Sequence, residues 1–316
     1  MTKYKIIVNP VSGRGAGAAA IPQLTQILDQ HQLDYELVQT ERPWHAAELA
    51  RQAASQGFQV VTAVGGDGTI NEVINGLMLA KNNQEGESAL GVISVGRGND
   101  FAFGASIPPE MEAAIEILAN DQRLWMDVGQ VTGGDYPAGR YFGNGVGVGF
   151  DAVVGFEALK MKRLHGFPSY MVAALKTIFL YYHAPKVLIE FDSQSLELSA
   201  LMISIMNGRR MGGGFHMAPR AQMNDSLFDL CIANQVSRLK IIALIPRFMK
   251  GDQASHPAIQ TAQTRCLTIQ ALQGDLPVHA DGETICVAGK HLTIEILPRQ
   301  IQIISKNGNT GNGKPA

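Results

Sequence analysis

The mostly apolar run 60–64 leads directly into the glycine-rich segment 65–75, which reads Gly-Gly-Asp-Gly-Thr-Ile-Asn-Glu-Val-Ile-Asn. This order predicts a buried strand that feeds a tight turn and then a helix. Glycines let the backbone approach a phosphate closely, and the N–H groups at a helix start attract anions. The segment therefore predicts a nucleotide phosphate site in an α/β fold.

The acidic residue Asp67 distinguishes this segment from commoner phosphate loops. It has neither the Gly-Lys-Ser/Thr ending of a P-loop nor the three spaced glycines of a dinucleotide fingerprint. A bare carboxylate would repel a polyphosphate, so Asp67 predicts either a bridging Mg²⁺ or a role in proton handling. A structural interpretation also fits, in which Thr69 caps the helix and Glu72 completes a Thr-x-x-Glu capping box. That interpretation leaves residues 65–68 unexplained.

The first third of the chain alternates strand and helix patterns, which predicts a doubly wound α/β domain with a parallel sheet. The predicted strands are 4–8, 35–39, 59–64 and 90–95, and the predicted helices are 18–31, 46–56, 70–81 and 110–120. Ligands of open α/β sheets collect at the carboxyl ends of the strands. The four loops that follow the strands should therefore converge on one edge.

From residue 128 onward, short β-rich segments separated by glycine clusters predict an antiparallel β-sandwich. These segments are 143–149, 200–206, 228–233, 266–272, 284–287 and 292–296. One helical interruption, 154–182, is expected to form a lid or a lipid-facing element. We therefore divide the chain into an α/β nucleotide-binding domain at 1–127, a sandwich domain at 128–305 and a disordered tail at 306–316.

Composition narrows the choice of partner and compartment. The formal net charge of −2 gives no overall attraction to nucleic acid, so no nucleic-acid partner is expected. The cysteines Cys231, Cys266 and Cys286 lack the spacing of a disulfide framework or a zinc site. The N-terminus shows no signal-peptide pattern. These features favour a cytoplasmic protein.

The apolar stretch 170–182 bears on membrane contact. Lys176 interrupts it, and it is shorter than the roughly 20 residues of a membrane-spanning helix. Because Lys160, Lys162 and Arg163 precede it, the region fits either a core helix or an element that lies on an anionic bilayer surface. Exposed strand edges would also allow a homodimer.

The ordered set of motifs resembles the diacylglycerol kinase catalytic-domain family, which includes bacterial lipid kinases and sphingosine and ceramide kinases. The resemblance covers nearly the whole chain. Its landmarks are Asn-Pro-Val-Ser-Gly at 9–13, the glycine-rich segment extended to 76, Gly-Arg-Gly-Asn-Asp-Phe-Ala at 96–102, Gly-Phe-Asp-Ala at 149–152, 212–219, 224–230 and His-Ala-Asp-Gly-Glu at 279–283. Gly-Gly-Asp-Gly alone also occurs in NAD kinases, but the ordered set is far more specific.

The resemblance implies an ATP site on the α/β domain. The implied binding residues are Asn9, Pro10, Ser12, Gly13, Thr40, Gly65, Gly66, Asp67, Gly68, Thr69, Ile70, Asn71, Arg97 and Asn99. Short polar side chains and glycine backbones can satisfy several phosphate oxygens, leaving Mg²⁺ to neutralise the charge. Many relatives carry threonine where this chain has Arg97, so the nucleotide preference stays open.

The resemblance also implies that Asp281 deprotonates the acceptor hydroxyl, because an aliphatic alcohol is too weakly acidic to attack unaided. Glu283 would share a strand face with Asp281 and either orient the catalytic site or raise the pKa of its neighbour. Asp67 would either support the Mg²⁺–phosphate geometry or work together with Asp281. Since Asp-Gly is also an ordinary turn pair, a structural turn is the alternative.

The segment 224–230 resembles a family site for a structural Mg²⁺. The implied ligands are the carboxylate of Asp225 and the carbonyl oxygens of Phe228 and Leu230, which suit a hard cation. The family usually has glycine where this chain has Ser226, and a simple hairpin turn is the alternative. Asp151 has two interpretations, contact with a lipid headgroup or a structural hydrogen bond.

The sequence thus predicts an ATP- and Mg²⁺-dependent lipid kinase that is cytoplasmic and peripheral to the inner face of the membrane. Its acceptor would be the hydroxyl of diacylglycerol or of a sphingoid base. A kinase of a soluble metabolite and a non-catalytic lipid- or nucleotide-sensing protein are the alternatives.

Overall fold

The computed structural model of the chain describes residues 2–96, 98–160, 167–180, 184–192 and 194–310. The chain divides into two compact units. The first comprises Met1–Val128 and Pro298–Ala316, and the second comprises Gly129–Leu297. Each unit has its own sheet architecture.

The first unit is built on a parallel sheet with the strand order β2-β1-β3-β4. Its strands are β1 (Lys3–Val8), β2 (Asp34–Gln39), β3 (Val60–Gly65) and β4 (Ala89–Ser94). Its helices are α1 (Ala16–Gln30), α2 (His45–Ser55), α3 (Asp67–Asn82), α4 (Asp100–Gly104) and α5 (Met111–Asn120). Every residue of β3 is buried, as expected for a central parallel strand covered on both faces. The predicted α/β class is confirmed.

The start of α3 differs from the prediction. Gly66 is the N-cap residue and makes no side-chain cap hydrogen bond. The Thr69 hydroxyl instead accepts a hydrogen bond from Asn9 Nδ2 at 3.0 Å, and the Glu72 carboxylate accepts one from the N–H of Ala46 at 3.1 Å. The predicted capping box is therefore wrong, because both side chains bind neighbouring segments rather than their own helix end.

The second unit is an antiparallel β-sandwich, as predicted. Nine strands of the described residues lie wholly within it: β6 (Tyr136–Phe142), β7 (Gly145–Gly149), β8 (Lys186–Phe191), β9 (Gln194–Met206), β10 (Phe228–Asn234), β11 (Ile259–Thr264), β12 (Cys266–Gln273), β13 (Leu276–Ala280) and β14 (Glu283–Gly289). Two more, β5 (Gln122–Gly133) and β15 (His291–Ile304), contribute residues 129–133 and 291–297 to it and their other residues to the first unit. One sheet has the order β14-β13-β7-β9-β10-β11, and the other has the order β9-β8-β12-β15-β5-β6. The long strand β9 belongs to both, since residues 194–199 pair with β8 and residues 202–206 pair with β7. A buried apolar core, which includes the stacked rings of Phe142 and Phe228, fills the sandwich.

Three helices accompany the sandwich strands, α6 (Phe150–Leu159), α7 (Phe167–Leu180) and α8 (Arg238–Lys250). The prediction of one helical interruption at 154–182 is wrong, because α6 and α7 are separate helices and α8 is a third. Ile241, Leu244 and Phe248 recur at helical spacing and are buried, but Pro246 inside the segment obscures the pattern. Lys162 and Arg163, which the sequence suggested as contacts with an anionic bilayer, lie outside the described residues.

The C-terminal part of the chain also differs from the prediction. Residues 298–305 belong to the first unit, where Ile303 pairs in parallel with Leu90 and the N–H of Arg299 donates to Asp127 at 2.7 Å. A short strand, β16 (Asn309–Thr310), pairs with residues 122 and 123. The expected disordered tail is therefore wrong over residues 306–310, and residues 311–316 lie outside the described part. No helix of the described residues is both long and apolar enough to span a membrane.

Candidate active site

The loops that follow the parallel strands of the first unit are hydrogen-bonded to one another. The N–H of Asn9 donates to the carbonyl of Val64 at 2.9 Å, and the hydroxyl of Ser12 donates to the carbonyl of Val95 at 2.9 Å. The N–H of Thr40 donates to the carbonyl of Val8 at 2.9 Å, which places the end of β2 at the same edge. The predicted convergence of the loops is confirmed.

The two glycines that begin the glycine-rich segment have different surroundings. A Cβ atom on Gly65 would lie 2.5 Å from Thr69 Oγ1, so packing inside the protein requires this glycine. A Cβ atom on Gly66 would lie 3.6 Å from Ser12 Oγ, which is ordinary van der Waals contact. Packing among the described residues does not require Gly66 to be glycine, so two reasons for it remain: its place as the N-cap of α3, where glycine is favoured over alanine, and close approach of a ligand.

The carboxylate of Asp67 lies between the first turn of α3 and the segment that follows β4. Its Oδ1 accepts a hydrogen bond from the N–H of Phe101 at 3.0 Å. A Cβ atom on Gly98 would lie 3.1 Å from its Oδ2. Asn99, with φ of 51°, donates from Nδ2 to the carbonyl of Gly96 at 3.2 Å. The segment after β4 therefore folds back onto Asp67, whereas Arg97 lies outside the described residues.

The remaining predicted nucleotide residues fall into two groups. Pro10, Gly13 and Gly68 lie at the same edge of the sheet. The residues Thr69, Ile70 and Asn71 are only 4%, 1% and 1% exposed, and the N–H of Ile70 donates to the carbonyl of Gly66 at 3.2 Å. Within this segment, only N–H groups that precede Ile70 could therefore meet a phosphate. Together the loops offer glycine backbones and short polar side chains, an arrangement suited to a polyphosphate.

Asp281 lies in a tight hairpin turn of the second unit. Asp281 and Gly282 separate β13 from β14, and their φ values of 49° and 85° are those of a type I′ turn. The Asp281 carboxylate accepts hydrogen bonds from the N–H groups of Gly143 at 2.8 Å, Asn144 at 2.9 Å and Gly145 at 2.9 Å. The turn interpretation is confirmed, and the three donors stabilise the ionised carboxylate.

The predicted relationship between Asp281 and Glu283 is wrong. Glu283 is the exposed first residue of β14 and pairs with Ala280. Asp281 is in the turn and has a left-handed backbone, so the two-residue alternation of a strand does not apply to it. The two carboxylates therefore do not share a strand face.

A buried pair of titratable residues, Asp151 and His279, flanks Gly147. A Cβ atom on Gly147 would lie 2.4 Å from His279 Nε2 and 2.5 Å from Asp151 Oδ2. The N–H of Gly282 donates to His279 Nδ1 at 3.3 Å, so a neutral imidazole carries its proton on Nε2. Sequence reasoning missed His279, although it lies two residues before Asp281.

The environment shifts both groups toward their neutral forms. Burial lowers the pKa of His279 to about 4. Burial also raises the pKa of Asp151 to about 7, against hydrogen bonds from the Ser204 hydroxyl at 3.0 Å and the N–H of Ala152 at 2.9 Å. Asp151 as a whole residue is only partly buried, but its carboxyl group is enclosed, and the enclosure of the charged group governs the pKa. Asp151 therefore makes structural hydrogen bonds, which was one of the two roles that the sequence suggested for it.

The expected metal segment contains a second carboxylate that sequence reasoning missed. Asp225 Oδ1 accepts from the N–H of Leu227 at 3.1 Å, and Ser226 has φ of 64°, a backbone conformation that favours glycine. Burial and then the nearby charge of Asp225 raise the pKa of Asp229. Among the described residues, the buried Oδ2 of Asp229 has no hydrogen-bond partner. Two carboxylates with an unsatisfied oxygen fit a hard cation.

The other two implied metal ligands begin β10. Phe228 and Leu230 are buried in this strand, and only their backbone carbonyl oxygens could serve as ligands. Within the described ranges, no group of three or more His, Cys, Asp or Glu side chains could hold a metal ion. The site would therefore depend on Asp225, Asp229 and the carbonyls.

An apolar cavity of about 80 Å³ lies in the second unit. Its walls come from α6, α7, α8, strands β9 and β10, and the segment that follows β9, and they include Leu201, Phe215, Leu244 and Phe248. Asp151 belongs to the same wall. The apolar walls suit a hydrocarbon group rather than a polar one, and the volume, well below the roughly 300 Å³ of the smallest ordinary ligand pockets, would take only part of an acyl chain.

Comparison with known proteins accounts for both units. Residues 3–131 match the model for the diacylglycerol kinase catalytic domain, and residues 144–305 match the model for the YegS C-terminal NAD kinase beta sandwich-like domain. A diacylglycerol kinase of Mycobacterium tuberculosis is 27% identical over 303 residues, which cover 96% of this chain and 94% of the relative.

Solved structures share the fold. The crystal structure of a diacylglycerol kinase from Bacillus anthracis has a TM-score of 0.73 at 21% identity, with 97% of each chain covered. An NAD kinase from Archaeoglobus fulgidus in complex with ATP has a TM-score of 0.52 at 13% identity, with 96% of this chain and 94% of that chain covered.

Proposed function

Because the chain belongs to the diacylglycerol kinase catalytic-domain family, we propose that it transfers the γ-phosphate of ATP to the hydroxyl of a diacylglycerol or sphingoid-type lipid. The apolar cavity of the second unit is the observation that carries the lipid acceptor. Each CH₂ group that it buries contributes about 0.8 kcal/mol, a gain that a polar metabolite does not obtain. Family membership supports a kinase, and the cavity supports a lipid as its acceptor.

The glycine-rich edge of the first unit is the proposed ATP site. Gly66 leaves room for a phosphate, and the N–H groups at the start of α3 would attract its negative charge. Asn9, Ser12 and Thr40 add short polar groups at the same edge. The A. fulgidus NAD kinase that shares this fold was solved with ATP, which supports the same class of nucleotide here.

Magnesium is proposed at two places. Asp67 would hold the Mg²⁺ that accompanies ATP. When bound, this ion would neutralise part of the phosphate charge. The pair Asp225 and Asp229 would hold a structural Mg²⁺ together with the carbonyls of Phe228 and Leu230, since an unsatisfied buried carboxylate oxygen fits that ion.

Asp281 is the proposed general base for the acceptor hydroxyl. Its three N–H donors fix the position of the carboxylate and keep it ionised, so it is ready to accept a proton as the oxygen attacks phosphorus.

A lipid acceptor requires contact with a membrane. We therefore place the kinase in the cytoplasm, visiting the inner face of the membrane, where ATP and the lipid are both accessible. A kinase of a soluble metabolite remains the alternative to test.

The test is transfer of radiolabelled γ-phosphate from ATP into a total bacterial lipid extract and, separately, into a soluble metabolite extract. The Asp281→Asn variant tests the base, and Glu283→Gln is the matched control, since Glu283 is an exposed carboxylate two residues away. Chloroform-soluble label that is lost in Asp281→Asn and kept in Glu283→Gln is the expected result. Label confined to the aqueous products would indicate a metabolite kinase, and no label in either extract would favour a sensing protein.

A further inference from the structure

The residues that hold Asp281 are themselves held by a further set of hydrogen bonds. Gly145, the first residue of β7, pairs with Met206, the last residue of β9. Asn144 and Asn207 lie just outside this pair of strands and next to each other. Both are buried, with 5% and 0% of their surface exposed. We call Asn144 and Asn207 the asparagine pair.

Asn207 and the residue after it bind the loop that carries the donors to Asp281. The Nδ2 of Asn207 donates to the carbonyl of Gly143 at 2.8 Å, and its N–H donates to the carbonyl of Asn144 at 2.9 Å. The N–H of Gly208 donates to the same carbonyl of Asn144 at 2.8 Å. Because a carbonyl can only accept a hydrogen bond, the contact with Gly143 also fixes which end of the Asn207 amide faces the loop.

Two peptide groups connect Asn207 to the carboxylate of Asp281. The group between residues 143 and 144 accepts from Asn207 through its carbonyl and donates to Asp281 Oδ1 through its N–H. The next group, between residues 144 and 145, accepts from Asn207 and Gly208 and donates to the same oxygen. Since a peptide group is planar and rigid, fixing its carbonyl also fixes the direction of its N–H. Hydrogen bonds in such a chain polarise one another, which strengthens the donation to Asp281.

The side chain of Asn144 adds a bond in the opposite direction. Its Nδ2 donates to the carbonyl of Arg210 at 2.9 Å, which ties the loop to the segment after β9 a second time. A Cβ atom on Gly208 would lie 2.0 Å from Asn144 Oδ1, so this glycine leaves room for the amide. Among the described residues, the buried Oδ1 of Asn144 has no hydrogen-bond partner. A buried acceptor without a partner lowers stability, so stability alone does not explain an asparagine at this position.

We propose that Asn144 and Asn207 are positioning residues for phosphoryl transfer and that they act through Asp281. The asparagine pair would hold the three N–H groups in the directions that aim the carboxylate at the acceptor hydroxyl. The inference rests on the proposed function and deepens it, since it names the residues that set the geometry of the base. A role in stability alone is the competing explanation.

The test is steady-state kinetics of lipid phosphorylation by Asn144→Ala and Asn207→Ala, each alone and each combined with Asp281→Asn. Both alanine substitutions remove a side-chain donor and keep the backbone N–H groups of the loop and of residue 207. All variants are assayed at a temperature where each is folded. The combined variants show whether the asparagine pair acts through Asp281 or independently of it.

Two controls separate this role from the loss of any asparagine and from the loss of stability. Asn234 is partly buried at the end of β10, where it pairs with Ala200, six residues before Met206 in β9. Asn234→Ala therefore removes an asparagine side chain from the same sheet and leaves the asparagine pair intact. Ile269 is buried in β12 of the other sheet, so Ile269→Val destabilises the sandwich without changing the residues that hold Asp281.

We expect Asn144→Ala and Asn207→Ala to lower kcat by about ten- to a hundredfold, the loss that a misplaced catalytic group produces. The KM values for ATP and lipid should stay unchanged, because the base acts in the transition state. In the Asp281→Asn background the same substitutions should lower the remaining kcat by less than about twofold, since residues that act as a unit are not additive. Equal factors in both backgrounds, or the same loss in Asn234→Ala or Ile269→Val, would overturn the proposal.

Hydrogen exchange keeps this proposal separate from the kinase assignment. The N–H groups of residues 143–145 should exchange faster in Asn207→Ala than in the wild type, without ATP or lipid, because their peptide groups lose a partner. Unchanged exchange would overturn the proposal whatever the acceptor is. A wild-type protein that phosphorylates no acceptor, together with faster exchange in Asn207→Ala, would reject the proposed function and support the asparagine pair as the holder of Asp281.

Discussion

Asp281 Oδ2 accepts a hydrogen bond from the backbone N–H of Gly143 at 2.8 Å. Its other oxygen accepts from the N–H groups of Asn144 and Gly145, and the N–H of Asp281 donates to the carbonyl of Gly145 at 3.0 Å. The carboxylate proposed as the catalytic base is thus also the anchor of the β13–β14 hairpin. A substitution of Asp281 removes the proposed base and the hairpin anchor together. Variants that affect only one of these two roles are therefore needed to separate them.

Asp281→Asn should destabilise the protein as well as reduce phosphoryl transfer. An amide has only one acceptor oxygen, so at least one backbone N–H loses its partner, at a cost of about 1–3 kcal/mol. Urea denaturation of the wild type, Asp281→Asn and Glu283→Gln measures this, and Glu283→Gln should change the free energy of unfolding by less than about 0.5 kcal/mol. Equal stability of all three proteins would show that the three N–H groups do not depend on the carboxylate.

Gly282→Ala should destabilise the same hairpin without removing the carboxylate. Gly282 has φ of 85°, and an alanine in the left-handed region costs about 1–2 kcal/mol. The added Cβ atom meets no described atom within 4 Å, so the strain is confined to the backbone. At a temperature where both variants are folded, Gly282→Ala should retain most of the transfer activity and Asp281→Asn should lose it. Equal losses in the two variants would assign Asp281 a structural role alone.

Gly66→Ala should weaken ATP binding while lowering stability by no more than about 1 kcal/mol, the loss expected when alanine replaces glycine at the N-cap of α3. The new methyl group would meet only Ser12 Oγ at 3.6 Å within the described chain, but it would occupy the space proposed for a phosphate. Gly65→Ala is the contrasting variant, since its Cβ atom would lie 2.5 Å from Thr69 Oγ1 and overpacking of this kind costs about 1–3 kcal/mol. Thermal unfolding and ATP titration calorimetry separate the two effects. Unchanged ATP affinity in Gly66→Ala would contradict the assignment of the phosphate site.

Asp151 should make the protein less stable as the pH rises. Its folded-state pKa is raised from 3.8 to about 7, so the folded protein binds this proton more tightly than the unfolded chain does between those values. Stability from this group is therefore fully present below about pH 4 and is lost as the pH rises to about 7. Asp151→Asn cannot ionise and should lack this loss.

Thermal unfolding of the two proteins at pH 5 and pH 8 provides the measurement for Asp151. His279, whose pKa is lowered to about 4, works in the opposite direction, because its neutral form is favoured in the folded state and stability rises as the pH increases from about 4 to 6.5. That contribution is common to both proteins, so it cancels in the comparison. The same change between pH 5 and pH 8 in both proteins would contradict the raised pKa of Asp151.

Local sequence patterns predicted the first unit well. The buried run of β3 and the glycines that follow it identify a parallel strand and its phosphate loop, because both signals are contained in a few adjacent residues. The side-chain roles of Thr69 and Glu72 were predicted incorrectly, since their partners Asn9 and Ala46 lie far away in the sequence. Local patterns carry no information about such partners.

In the second unit too, local patterns predicted a turn but not the partners that lie far away in the sequence. The Asp-Gly pair at 281 and 282 is a turn signal and gave the hairpin, but the three N–H donors to Asp281 come from residues 143–145. Asp229 was missed because its raised pKa comes from burial and from the charge of Asp225, and His279 was missed because its lowered pKa comes from burial. The helix α8 was missed because Pro246 interrupts an otherwise helical pattern.

The most direct measurement offers the purified protein a lipid and a soluble acceptor in the same reaction. ATP with labelled γ-phosphate and Mg²⁺ are supplied with diacylglycerol and a sphingoid base in detergent micelles, together with NAD as the soluble competitor, and the products are identified by mass after chloroform extraction. The account predicts labelled, chloroform-soluble phospholipid that is absent with Asp281→Asn and present with Gly282→Ala. Label in NADP and none in the lipid fraction would contradict it.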